Sequence, residues 1–199
     1  MAITKSNEAT LTDWTAVAQN AVGESGELVL SDAYWADLMI QAFLDGETAH
    51  TGTRFVVQAS FADSGDEDWA DLFEFVGLID ASPLSEALTN DPLEAAGTTI
   101  TMAATADFVN GAWHAIEEST LANSELFWQV AVTTNTSVTT KDGVTNEHAK
   151  NTVCYTQALS RTFRIDGAYS RARVLVDNTY DADGCTLDYK VRYSKVTAG

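Results

Sequence analysis

Three histidines, two cysteines and two aspartate-rich stretches are the residues of this sequence whose types could do chemistry. His50 stands in a Thr/Gly stretch, His114 follows Trp113, and His148 lies in the polar run Asn146-Glu-His-Ala. None has the His-x-x-x-His or His-x-Glu spacing that places two metal ligands, or a ligand and a base, on one face. A Gly-x-Ser-x-Gly elbow and a phosphate-binding Gly-x-x-x-x-Gly-Lys-Ser/Thr loop are both missing. With 29 acidic residues in the chain, no carboxylate pair singles itself out as a glycosidase acid and base. Cys154 and Cys185 lie outside any Cys-x-x-Cys arrangement and read as small buried hydrophobes. These patterns predict no catalytic residue and no cofactor.

Two loops are rich in hard oxygen donors of the kind calcium prefers: Asp177-Asn-Thr-Tyr-Asp181-Ala-Asp183-Gly184 and Asp63-Ser-Gly-Asp66-Glu-Asp68. Asp177, Asp181 and Asp183 are therefore weak metal candidates. The EF-hand order and its distal Glu are absent, and Asp, Asn and Gly also build hairpin turns, which is the preferred reading. Five tryptophans, at 14, 35, 69, 113 and 128, suggest a sugar-stacking platform. Trp35, Trp113 and Trp128 sit in apolar strands, so a core or interface role is expected of them. A glycan-binding β-sandwich module stays open as an alternative.

The elements that must position these residues are strands. Trp35–Leu44 alternates, with Ala36, Leu38, Ile40, Ala42 and Leu44 on one face. Arg54–Phe61 places Phe55, Val57, Ala59 and Phe61 together, and Leu187, Tyr189, Val191 and Tyr193 alternate with Asp188, Lys190, Arg192 and Ser194. Arg171–Val176 and this last strand read as an antiparallel hairpin. Between Pro83 and Gln157 lie five short strands separated by turns such as Asn110-Gly111 and Lys141-Asp-Gly143, the size of a small barrel. The fold class is all-β: an antiparallel, jelly-roll-like β-sandwich with a small inserted β-barrel or hairpin module. The expected division is 1–26 as an N-terminal arm or first edge strand, 27–83 plus 158–199 as the sandwich, and 84–157 as the insert.

Net charge is −18, which repels phosphate backbones and argues against nucleic-acid binding through a basic face. No apolar run approaches the roughly 20 residues that span a bilayer, and the first residues lack a secretory pattern, so synthesis and folding in a cytosol are expected. Residues 158–199 reverse the acidic trend, with seven bases against five acids. Arg161, Arg164, Arg171, Arg173 and Arg192 are candidate interface residues, able to meet acidic surface on their own fold or on a neighbouring copy; simple solvation and tolerance of salt compete with that reading.

The inserted stretch runs Thr98-Thr-Ile-Thr-Met, Phe108-Val-Asn-Gly111-Ala-Trp-His, Asn123-Ser-Glu125-Leu-Phe-Trp, Asn135-Thr-Ser-Val138 and Asn146-Glu-His148-Ala. That order resembles a small β module of tailed-bacteriophage structural proteins. The flanks, Thr53-Arg-Phe-Val-Val-Gln-Ala-Ser60 and Arg173-Val-Leu-Val-Asp-Asn178, look similar to such proteins too. The resemblance implies a multi-copy, non-enzymatic virion protein, made in the host cytoplasm and homo-oligomeric in the particle. Its partners would be the major capsid or other virion proteins. A capsid decoration (cement) role is expected, with a head–tail adaptor or tail-associated role as the alternative.

Overall fold

The computed structural model describes residues 3–46, 49–65, 68–79, 84–179 and 185–198, and among them the chain is built from antiparallel strands with no α-helix. In chain order these are β1 (Ile3–Lys5), β2 (Ala9–Val17), β3 (Val22–Glu24), β4 (Leu28–Val29), β5 (Ala33–Asp45), β6 (Thr53–Ser60), β7 (Ala70–Gly77) and β8 (Ser85–Ala87). They continue with β9 (Thr99–Thr101), β10 (Trp113–Glu117), β11 (Glu125–Thr133), β12 (Ser137–Thr140), β13 (Val153–Tyr155), β14 (Ala158–Asp166), β15 (Arg171–Asp177) and β16 (Thr186–Ala198). A 3-10 turn, Leu121–Asn123, precedes β11.

Two sheets form the sandwich. One has the order β1-β16-β5-β14 with β2 also on β16; the other has β3-β15-β6-β7 with β4 also on β15. The period-two pattern of β5 decides which side is buried: Ala36, Leu38, Ile40, Ala42 and Leu44 are all fully buried. They meet Leu187, Tyr189 and Val191 of β16 and Phe55, Val57, Val174 and Val176 of the facing sheet in one core. Each Leu, Ile, Val and Phe among them contributes about 1.5–3 kcal/mol by leaving water. Phe61 departs from the alternation of β6; it is 69% exposed and lies on Tyr169 with ring centroids 4.7 Å apart.

Two sequence expectations are corrected. β15 and the last strand do not form a hairpin: β15 pairs with β3, β4 and β6, whereas β16 pairs with β1, β2 and β5 in the opposite sheet. Alternation fixes which face of a strand is buried but leaves the partner strand open. Residues 3–24 are not a free arm but edge strands of both sheets, β1 and β2 on β16 and β3 on β15. Their pattern is weak because β2 buries only Trp14 and Val17.

Residues 85–155 make the third sheet, ordered β8-β13-β10-β11-β12-β9. It curls until Leu88 and Met102, just beyond its two edge strands, bridge to each other, and Thr89 N donates to Thr101 O. The closed ring encloses Leu88, Ile100, Met102, Phe108, Ile116, Phe127 and Val138. Its ends meet where Leu84 N donates to Thr156 Oγ1 and Thr156 N to Leu84 O.

Candidate functional site

The barrel packs on the outer face of the β5/β16 sheet, and the groups that could do chemistry gather at that junction. Leu187 and Tyr189 turn into the sandwich core, so Asp188 between them projects to the opposite face, across from Phe43. Phe43, Trp14, Ala115 and Tyr155 form a second, smaller core there. Trp14 packs edge-on against Phe43 at 5.1 Å and donates from Nε1 to Ser124 O at 2.6 Å, tying the N-terminal strand to the barrel.

Asp45 closes β5, Glu117 closes β10, and with Asp188 they place carboxylate oxygens within 4.8 Å of one another. Tyr155 donates its hydroxyl to Asp45 at 2.9 Å. Asp188 is 3% exposed; burial, and then the charges of Glu117 and Asp45, push its carboxyl up to about 7. Burial and the charge of Asp45 also raise Glu117. Three crowded carboxyls can share a proton, and an oxygen-only set of this kind can hold a hard cation such as Ca2+. Their sequence separation, 72 and 71 residues between successive members, left no local pattern to find them by.

The second polar cluster lies within the barrel. His148 is fully buried between two carboxylates, with Nδ1 2.8 Å from Glu118 Oε1 and Nε2 2.6 Å from Glu125 Oε1. Burial opposes the imidazolium, but Glu125 and Glu118 outweigh it and raise the His148 pKa. Glu125, despite burial, is held below its ordinary value by His148 and by the N–H groups of Thr145 and Asn146, which donate to it at 2.7 and 3.0 Å. Asn146 Nδ2 donates to Asn123 O. The Asn123-Ser-Glu125 and Asn146-Glu-His148 runs noted in the sequence therefore form one contact set.

The other histidines are structural. His114 bonds through Nδ1 to Thr156 O and through Nε2 to Val109 O, and burial lowers its pKa. His50, 2% exposed, lies between Leu78 O and Asn178 Oδ1. Asn178 is a buried hub whose Nδ2 reaches the carbonyls of Val17, Ala18 and Cys185, and whose Oδ1 accepts from Thr53. Cys154 and Cys185 are both buried, and burial pushes the Cys154 thiol up.

The predicted loop and interface residues take their places within the chain as follows. Asp177 Oδ1 accepts from the N–H and hydroxyl of Thr179, and its Oδ2 lies 3.9 Å from Arg54, so it caps a turn. Asp181 and Asp183 lie outside the described residues, as do Asp66 and Glu67 of the other loop. Four of the five arginines have acidic or carbonyl partners on this same chain. Arg171, almost wholly buried, donates to Glu27, Ala62 O and Gly65 O and lies over Trp69. Arg173 reaches Glu24 and Gln58, Arg192 lies 2.7 Å from Glu8, and Arg164 donates to Asp37, which it holds below its ordinary value. Arg161 lies 4.4 Å over the Phe75 ring.

No protein-family model matches the sequence. No curated protein matches it either. Among solved structures, the K3 cleaved adhesin domain of Lys-gingipain from Porphyromonas gingivalis w83 is 11% identical. That likeness covers 92% of this chain and 73% of that one, with a TM-score of 0.38. VP17, a capsid protein of bacteriophage P23-77, is 8% identical, with 100% of both chains covered and a TM-score of 0.19. A structure of the Gt strain of infectious bursal disease virus is 9% identical, covering 98% of this chain and 81% of that one, with a TM-score of 0.23. Likenesses at these TM-scores carry no function across, so the chain's own geometry must.

Proposed function

We propose that the chain is a non-enzymatic virion structural protein that acts by contact with neighbouring subunits, as a capsid decoration protein. The observation that carries this reading is the open side of the sandwich. There one edge strand of each sheet, β7 and β14, lie together, with Phe73 and Phe75 against Phe163 at 5.1 and 5.5 Å. Phe73, Val76 and nearby Ile79 remain 39%, 47% and 67% exposed. Unpaired strand edges beside exposed apolar side chains are what an assembling subunit offers a neighbour.

The chemistry of the described residues supports a structural role. Each histidine is committed to partners within the chain, and Asp188 is closed off beneath the barrel. The resemblance of the barrel sequence to tailed-phage modules supports a place in a particle. A head–tail adaptor or tail-associated protein would use the same surfaces at lower copy number.

The test is quantitative mass spectrometry of density-purified particles from the source culture, measured against the major capsid protein. A decoration protein is expected at a ratio near one or a simple lattice fraction of it. A handful of copies per particle moves the assignment to the neck or tail, and complete absence overturns the virion reading.

A further inference from the structure

The cross-strand pair Trp113–Trp128 has a use that packing alone does not explain. Both strands send alternate residues into the barrel: His114 and Ile116 from β10, Phe127 and Gln129 from β11. Trp113 and Trp128 therefore stand on the outer face, directly opposite each other, at the rim of the junction with the sandwich. They remain partly exposed, with ring centroids 5.3 Å apart and planes at 70°, so the two indoles form a corner. Their walls and the side chains of Lys141 and Asp142 enclose a cleft of about 280 Å3. Trp113 also lines a neighbouring cleft of about 260 Å3 with Leu78, Ile79 and Gln157.

The corner is held in place by backbone. Lys141 N donates to Trp128 O, Gly111 N to Gln129 O, and Gln129 N to Ala112 O. Gly111, at φ +79°, makes the left-handed turn that starts β10 beside Trp128 without a side chain over the ring. A second, independent feature lies in the adjoining cleft. Gln157 is only 7% exposed, yet its Oε1 has no hydrogen-bond partner among the described residues. A buried amide oxygen left unpaired costs free energy, which a turn of the side chain toward the cleft would recover by meeting a ligand hydroxyl.

We infer that this groove binds a neutral hexopyranose oligosaccharide. A pyranose ring offers an apolar C–H face, which an indole takes, and a rim of hydroxyls, which need both donors and acceptors. Here Trp128 and Trp113 supply the apolar faces, Lys141 donates, Asp142 accepts, and the Gln157 amide can turn to meet a hydroxyl. Two clefts that share Trp113 as a wall, each just under the roughly 300 Å3 at which ligand sites begin, suit one sugar ring apiece. The net charge of −18 selects against sulfated or sialylated chains. The inference stands apart from the virion reading: a particle protein and a free one would both keep the groove.

The intact chain is titrated with cellohexaose, maltohexaose and mannohexaose, following tryptophan fluorescence and heat. Saturable binding of at least one of them at one site per chain is expected. Trp128→Ala and Asp142→Ala are each expected to weaken it by about tenfold or more, with Asp142→Ala leaving the thermal unfolding of the chain intact. Asp142→Ala changes only an exposed turn, so it decides alone if Trp128→Ala fails to fold. Absence of binding to all three sugars at about 10 mM, or binding that survives Asp142→Ala unchanged, overturns the inference.

Discussion

At the scale of single residues, the two buried titratable clusters make stability depend on pH in a defined direction. Asp188 has an ordinary carboxyl value of 3.8 and a folded value of about 7. Between those values the folded chain holds a proton that the unfolded chain has released, so stability falls as pH rises from about 4 to about 7. Asp188→Asn removes the buried charge and keeps the shape. In a chelator-containing buffer it is expected to match the parent near pH 4.5 and exceed it by about 2 kcal/mol at pH 8 in urea unfolding. An equal or lower stability at pH 8 would show that the trio is ionised at little cost. The His148 pKa is raised above 6.5, so its clamp contributes fully below that pH and is lost as pH rises through the folded value. His148→Gln leaves Glu118 and Glu125 facing no cation and is expected to cost about 3 kcal/mol at pH 6, and clearly less at pH 9. A cost that is the same at both pH values would mean that the imidazole works as a neutral hydrogen-bonding group.

At the scale of elements, β2 joins the parts of the chain, because Trp14 fills the space between sandwich and barrel and bonds to Ser124. Trp14→Ala is expected to cost about 3 kcal/mol in urea unfolding, and removal of residues 1–26 to destabilise the sandwich rather than merely trim it. A shortened chain that unfolds at the parent midpoint would contradict this. β2 also shows where the sequence was legible and where it was not. β5 from Ala36 to Leu44 and β16 from Leu187 to Val191 announce themselves because every second residue there is apolar and packed in the sandwich core. β2 buries two residues in nine and leaves the rest to water, and the same physics leaves almost no signal. Trp113 and Trp128 could be assigned to strands, but only the register that sets them opposite each other makes a corner of them. Glu118 and His148, 30 residues apart, and the Asp45–Glu117–Asp188 trio depend on how the barrel closes and where it docks, which residue types and spacing do not encode locally.

At the scale of the whole molecule, the reversal of charge between the two ends of the chain is spent inside it. Arg192 pairs with Glu8, Lys190 with Asp13, Arg173 with Glu24, Arg171 with Glu27, Lys195 with Asp32 and Arg164 with Asp37, because β16, β15 and β14 lie beside the strands and turns of the first 45 residues. After these pairs are made, the excess of 29 acids over 11 bases is carried as uncompensated carboxylates. Exposed pairs contribute little, about 0–1 kcal/mol each, and salt weakens them. Repulsion among the surplus charges acts over the whole surface and is screened by the same salt, the Debye length falling from about 10 Å at 0.1 M to about 3 Å at 1 M. The repulsive term involves more charges and is expected to win, so the melting temperature should rise as sodium chloride goes from about 0.05 to about 1 M. Scanning calorimetry at fixed pH distinguishes the two contributions. A melting temperature that falls with salt would mean that the pairs between the N-terminal strands and β15 and β16 dominate, and neutralising them in turn, beginning with Arg192→Gln, would then remove the salt dependence stepwise.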